Sequence, residues 1–230
     1  MCVEFVYSGV SLQNRRSSNM DSLLLKCRSI KKESALLAVV CDGVGGLADG
    51  AFASGEAARL LGEWFDGIDD TNRIGLKMRD EILKINSAIA TEAIQRSIQT
   101  ASTLSVVLLL GEQFFIVHVG DSRVYAFAND SRSLSLLTSD DVSESGKLTM
   151  YIGQPNNITL QYSEGSSAGK TFLVCSDGIY KRMDARFLST NINADNANTV
   201  KNSVKVLTQY VIDRGEQDNI TIALMKTINY

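Results

Sequence analysis

VVCDGVGGLADG, residues 39–50, is the stretch on which the reading of this chain turns. An apolar run with the look of a buried strand ends in Asp42, and three glycines follow within the next four positions. A carboxylate set against bare backbone suits two chemistries. Either the glycines let the backbone approach a phosphate, or Asp42 holds a metal ion and the glycines leave room around it. Gly43, Gly45 and Ala48 fit the dinucleotide fingerprint G-x-G-x-x-A, and Asp66 stands at about the 20-residue spacing of its acidic partner. Asp42 itself would push a negative charge toward a pyrophosphate, however, and the downstream chain lacks the alternating pattern of a parallel sheet.

The bulk of the chain sets limits. Its 230 residues suffice for one domain with a substantial core, and we read residues 1–230 as a single catalytic domain. Hydrophobic residues make up 44% and charged residues 21%, an ordinary globular balance that argues against disorder. The net charge of −3, with Lys and Arg scattered, gives no footprint for nucleic acid or a membrane surface. The longest apolar run, Leu104–Leu110, is too short to span a bilayer, and no charged-then-apolar leader opens the sequence. A cytoplasmic protein is expected. Cys2, Cys27, Cys41 and Cys175 lack metal-type spacing and read as buried reduced thiols.

Short β-rich runs recur at 3–8, 22–28, 34–41, 103–110, 113–119, 123–128, 134–137, 158–162, 171–176 and 219–226. Helical periodicity is confined to three places: small residues over 51–65, the series Met78, Ile82, Ile85, Ile89, and the series Val200, Val204, Leu207, Val211. The last helix should stop near Gly215, which suits a left-handed cap. This order predicts stacked antiparallel sheets with helices outside them.

Three more carboxylates stand where apolar runs end or begin. FFIVHVGDSRVY puts Asp121 in a tight turn, TFLVCSDGIY puts Asp177 at a strand end, and GEQDNITIALM puts Asp218 at a strand start. Each alone suits a turn or strand edge. Together with Asp42 they favour metal, because strand ends are rigid enough to hold ligands in place.

The sequence resembles the metal-dependent serine/threonine phosphatases of the protein phosphatase 2C family, in the style of short bacterial members. The blocks run in family order: Arg16-Ser-Ser-Asn19-Met-Asp21, CDGVGG, Thr103-Leu104, VGDSRVY, CSDGIY and DNITI. The resemblance implies an α+β fold, a four-layer αββα sandwich with two central antiparallel sheets. It implies two Mg²⁺ or Mn²⁺ ions, with Asp42 bridging them, the Gly43 carbonyl helping the second, and Asp177 and Asp218 completing the first. Oxygen donors of this kind select hard cations. Arg16 would bind the substrate phosphate, and Asp21 would orient the water held between the ions, which attacks phosphorus. The glycines would let a phosphorylated side chain reach the metals. A phosphorylated protein, a partner serine/threonine kinase and a monomeric enzyme are further implications.

Departures from the family pattern carry expectations too. Met20 replaces the usual Glu or Gln, and Val44 stands where many relatives have histidine or methionine. His118, the one histidine, reads as a hydrogen-bonded sheet residue. Lys181 replaces an acid at a third site beside Asp121 and Asp177, so a third ion should bind weakly at most. After Leu137-Thr-Ser-Asp140 the family's flap is largely deleted, which should leave the cleft open on one side. The alternative is a pseudophosphatase, a binding domain with the same fold; loss of Asp177 or Asp218 would favour it, and both are present.

Overall fold

The computed structural model describes residues 3–44 and 49–229. Among them the apolar runs form ten strands: β1 (Val3–Leu12), β2 (Ser22–Ile30), β3 (Glu33–Cys41), β4 (Leu104–Leu110), β5 (Gln113–Val119), β6 (Arg123–Ala128), β7 (Ser133–Leu136), β8 (Gln161–Ser166), β9 (Lys170–Cys175) and β10 (Ile220–Asn229). Five helices accompany them: α1 (Gly50–Gly67), α2 (Ile74–Arg96), α3 (Asp177–Tyr180), α4 (Ala185–Asn191) and α5 (Ala197–Asp213). The strands form two five-stranded sheets, ordered β1-β10-β9-β6-β7 and β2-β3-β4-β5-β8. Every pairing is antiparallel, so the parallel βαβ unit of the dinucleotide reading is absent among the described residues. Gly45 and Ala48 of that fingerprint lie outside the described residues, as does Cys2.

The layering comes from side-chain alternation. Along β3, Ala35, Leu37, Val39 and Cys41 pack with Leu61 and Phe65 of α1 and Ile82 of α2. The alternate residues Leu36, Ala38 and Val40 face the other sheet and meet Phe172, Val174, Ala223 and Met225. That sheet's outer face, with Leu173, Cys175, Ile222 and Leu224, buries Val200, Val204, Leu207 and Val211 of α5. The result is helix, sheet, sheet, helix. Strands buried on both faces are apolar on successive residues, which is why 35–41 and 104–110, the latter broken only by Ser105, read as near-continuous hydrophobic runs.

Both ends of α5 carry sequence signals. Asn196 and Thr199 form a reciprocal capping box at the start of α5. Gly215 (φ +78°) closes its end, as the left-handed cap requires. The main departure is β8, expected at 158–162 and found at Gln161–Ser166. Ile158, Leu160 and Tyr162 all pack into the α1–α2 core, giving strand-like alternation to a segment that is irregular until Gln161. The paired residues instead run on into the polar, half-exposed edge QYSEGS. The short helices α3 and α4 leave no periodic signal in the sequence, because 4 and 7 residues are too few to show a 3.6-residue period.

Register decides what the fold is for. Ser22 pairs with Cys41, Leu104 with Val119, Arg123 and Ile222 with Cys175, and Leu12 with Ile220. These pairs sit at the ends of their ladders, so strands of both sheets finish at one edge of the sandwich. The residues just past those ends are Asp21, Asp42, Asp121, Asp177 and Asp218.

Candidate active site

At that edge lies a cleft of about 390 Å³. Arg16, Asp42, Gly43, Asp121, Asp177, Lys181 and Asp218 all line it, together with Met20 and Val44. Asp21 is brought near but not onto the wall. It is buried at 8% exposure and accepts a hydrogen bond from Ser176 Oγ at 2.9 Å, so the position expected to orient a water lies behind the cleft. Asp177 is the first residue of α3, whereas the sequence placed it at a strand end.

The loops carrying these groups are pinned by residues to which the sequence pattern gives no role. Thr103 holds Asp42 twice: its Oγ1 accepts from the Asp42 N–H (3.0 Å) and its own N–H donates to the Asp42 carbonyl (2.9 Å). Ser122 reaches the same hydroxyl at 2.6 Å, joining the Asp121 turn to the Asp42 turn. Asn219 accepts from the Met20 N–H and donates to the carbonyls of Gln13 and Ser18, each at 2.9 Å, which fixes the loop bearing Arg16. Asn14 donates to the Glu216 and Asp218 carbonyls at 2.8 Å. Thr103, Ser122 and Asn219 stand within the quoted blocks, but their partners lie 19 to 206 positions away in the chain.

Two of the glycines also have a packing role. A Cβ on Gly43 would come within 2.5 Å of the Gly50 carbonyl oxygen and 2.6 Å of that of Met20. On Gly178 it would meet the Asn219 carbonyl oxygen at 2.0 Å. A side chain at either position forces the backbone apart, because backbone crosses backbone there. Gly43 and Gly178 thus let the chain segments that carry the carboxylates approach one another closely. Gly45 and Gly46 lie outside the described residues.

Charge in the cleft is lopsided: four carboxylates face two cations. Burial, then the charges of Asp21, Asp177, Asp121 and Asp218, push the Asp42 carboxyl well above the usual range. Asp21 rises to about 6, chiefly through burial. Burial and Asp177 raise Asp121. Two carboxylates are covered by cations. Arg16 forms a fork onto Asp218, with Nε to Oδ1 at 2.8 Å and Nη2 to Oδ2 at 2.6 Å, and Lys181 Nζ pairs with Asp177. Burial works against the Lys181 ammonium, but Asp177, Asp121 and Asp42 raise it overall. Among the described residues no three acidic, imidazole or thiol groups stand as a ready-made metal cage, and ion pairs engage two of the four carboxylates. The donor set nevertheless fits hard divalent cations: it is all oxygen, carries excess negative charge, and is anchored on strand ends.

A family model described as protein phosphatase 2C matches residues 8–218. The chain belongs to that family. Its activity class is accordingly metal-dependent serine/threonine protein dephosphorylation, with Mg²⁺ or Mn²⁺ as the metal. Among its relatives, the serine/threonine protein phosphatase PstP of Mycobacterium tuberculosis is 26% identical over 94% of this chain, which spans 43% of PstP. Protein phosphatase PhpP of Streptococcus pneumoniae is 23% identical over 92% of both chains. A bacterial serine phosphatase crystal structure superposes with a TM-score of 0.86 at 19% identity, covering 97% of this chain and 98% of that one. The PstP catalytic domain, solved in complex with 2 manganese ions, has a TM-score of 0.82 at 23% identity, covering 99% of this chain and 100% of its own.

Two family departures find their place in this geometry. In this phosphatase His118 is fully buried, its Nδ1 2.8 Å from Ser105 Oγ and its Nε2 3.1 Å from the Gly120 carbonyl. Burial lowers its pKa, and it is a hydrogen-bonded sheet residue, as expected. The shortened flap does not leave its side of the cleft bare. Val142 and Leu148 form a bridge across a small hairpin, and Gly146 and Leu148 line the cleft. Asp141 anchors this hairpin by accepting from the Gly120 N–H at 2.9 Å, and Arg123 forks onto Asp140 at 3.0 and 2.7 Å.

Proposed function

We propose that this chain, as one catalytic unit over residues 1–230, hydrolyses phosphoserine and phosphothreonine in proteins at the Asp-lined cleft. The observation that carries the reading is the convergence of Asp42, Asp121, Asp177 and Asp218, from both sheets, on one cleft that also holds Arg16. Asp42, the Gly43 carbonyl, Asp177 and Asp218 are the groups that would hold two Mg²⁺ or Mn²⁺ ions, with Asp121 at a weak third position. When bound, such ions polarise the phosphate and make water nucleophilic near neutral pH. Arg16 supplies the planar fork that fits two phosphate oxygens and balances charge as the leaving oxygen departs. Its fork on Asp218 keeps it at the cleft mouth. Asp21 acts from behind, adding negative charge next to Asp42. Lys181 lends a fixed positive charge on the Asp121 side.

No helix among the described residues is long and apolar enough to cross a membrane. Cys41 and Cys175 are buried free thiols as expected, while Cys27, expected buried, is an exposed one because the edge strand β2 has a neighbouring strand on one side only. Free thiols support the cytoplasm as the compartment. A monomer that reverses a serine/threonine kinase in signalling completes the reading, with no nucleic-acid or membrane partner. The test is hydrolysis of an aryl phosphate and a phosphoserine peptide with and without Mn²⁺. Activity that chelator abolishes and metal restores is expected, and Asp42→Ala should lose it by orders of magnitude while keeping the fold. Metal-independent turnover would sink the proposal.

A further inference from the structure

Next to the cleft runs a second, larger cavity of about 730 Å³, within the size range of roughly 300–1,000 Å³ that serves ligand binding. Its walls are the C-terminal part of α2, the segment 98–101 and the flap hairpin, and they are largely apolar. Ile94, Ile98, Leu148 and Tyr151 contribute the large side chains. Ile94 is 68% exposed, far more than any other large apolar residue described. A solvated isoleucine on the lip of an apolar groove has nothing to bury against in the isolated chain.

We infer that this groove receives an apolar side chain of the phosphorylated substrate, a few residues from the phosphoserine or phosphothreonine, and so selects among phosphoproteins. The inference rests on the phosphatase reading above and goes beyond it in naming the substrate feature. Continuity with the catalytic cleft supports it most directly. Val44, Gly146 and Leu148 line both the groove and the cleft, so an extended chain with its phosphate at Arg16 passes directly over their shared ridge. The one charged side chain among the described lining residues is Lys147, next to that ridge, and its sign suits a phosphate-bearing chain.

The groove is also preformed. Asn86 Oδ1 accepts from the Gly153 N–H at 2.8 Å and Asn86 Nδ2 donates to the Gln154 carbonyl at 3.0 Å, tying the far wall to α2. Ser102 and Ile152 form a bridge under it, with hydrogen bonds of 3.0 and 2.8 Å. A fixed apolar slot gains affinity from a filling side chain without a cost for ordering itself.

The test uses paired phosphopeptides that differ only in one flanking position, Leu or Phe against Ser, placed in turn on each side of the phosphoserine. Para-nitrophenyl phosphate serves as a substrate too small to reach the groove. Wild type should favour the apolar member of at least one pair by about tenfold or more in kcat/KM. Ile94→Glu and Ile94→Ser should remove that preference and leave para-nitrophenyl phosphate turnover unchanged. Equal rates for both members, or a preference that survives both substitutions, would overturn the inference. So would a dimer in sedimentation that Ile94→Glu dissolves, since the groove would then be filled by a second copy. If para-nitrophenyl phosphate were not hydrolysed, the catalytic proposal would fail separately. Fluorescence anisotropy of the labelled apolar-flanked peptide would still decide the groove, because Ile94→Glu must weaken that binding about tenfold.

Discussion

At the scale of the residue, the cleft is organised by pairs of opposite charge. Arg16 is 54% exposed and held by Asp218. If its function is to take a phosphate, Arg16→Ala should reduce kcat/KM roughly 10–100-fold, the loss expected from a charged hydrogen bond of about 1.5–3 kcal/mol. Unchanged kcat/KM would place the phosphate elsewhere. Lys181 on Asp177 sets a different limit, because a fixed cation beside Asp121 disfavours a third divalent ion. Calorimetric titration of wild type with Mn²⁺ should show two strong sites, and Lys181→Asp should add a third; three equal sites in wild type would remove Lys181 from this role. Asp21 gives a prediction with a definite sign. Its folded pKa, about 6, lies above its ordinary value, so its stabilising contribution is complete at low pH and lost as pH rises through 6. In chelator, Asp21→Asn should therefore melt higher than wild type at pH 8, with the gain shrinking below pH 6. An Asn variant that melts lower at pH 8 would contradict this.

At the scale of the element, strand ends and tight turns determine where the carboxylates point. The short helix α3 begins at Asp177 immediately after β9, and Gly178 packs under the Asn219 carbonyl at the start of β10. A methyl group at Gly178 would have to push Asp177 and Asp218 apart. Gly178→Ala should thus cost about 1–3 kcal/mol of stability, as overpacking does, and lower activity further than the stability loss explains. Thermal melts alongside kcat at a temperature where both proteins are folded check this; wild-type kcat would mean the strand ends tolerate separation. The strand runs themselves are legible because two-sided burial makes β3 from Ala35 onward, and β4 apart from Ser105, apolar on both faces. The start of β8 is misread for a related reason: Ile158 and Leu160 are core residues of an irregular segment, and burial alone mimics a strand's alternation.

At the scale of the molecule, the two sheets finish at a common edge, and the acidic groups gathered there repel one another. Divalent ions that bind this edge in the folded state alone must stabilise the fold by mass action. At a metal concentration of about 100 times Kd the gain is about 2.7 kcal/mol, or roughly 5–10 °C in Tm for a domain of this size. Scanning calorimetry in Mn²⁺ and in chelator measures it, and coincident melting curves would exclude binding linked to folding. The apolar groove beside the cleft belongs to this scale as well. The sequence suggested a cleft laid open by a short flap, whereas the hairpin at 142–148 walls it and lines the groove together with α2.

What the sequence determined by itself is the chemistry and the order of the parts. Apolar periodicity marked nearly all strands and the three long helices, and Asp42, Asp121, Asp177 and Asp218 stood out because acids rarely interrupt buried runs without a use. These are local signals, written within ten or so residues. Only the tertiary structure decided which groups meet. Asn219 holds the Arg16 loop from 201 and 206 residues away, Thr103 holds Asp42 from 61, and Asp21 lies behind the cleft wall although its neighbour Met20 lines it. Such pairings depend on the register of ten strands and the stacking of two sheets, where a shift of one residue would turn every side chain to the opposite face. No stretch of sequence carries that information alone, because the contacts that create it are made between stretches.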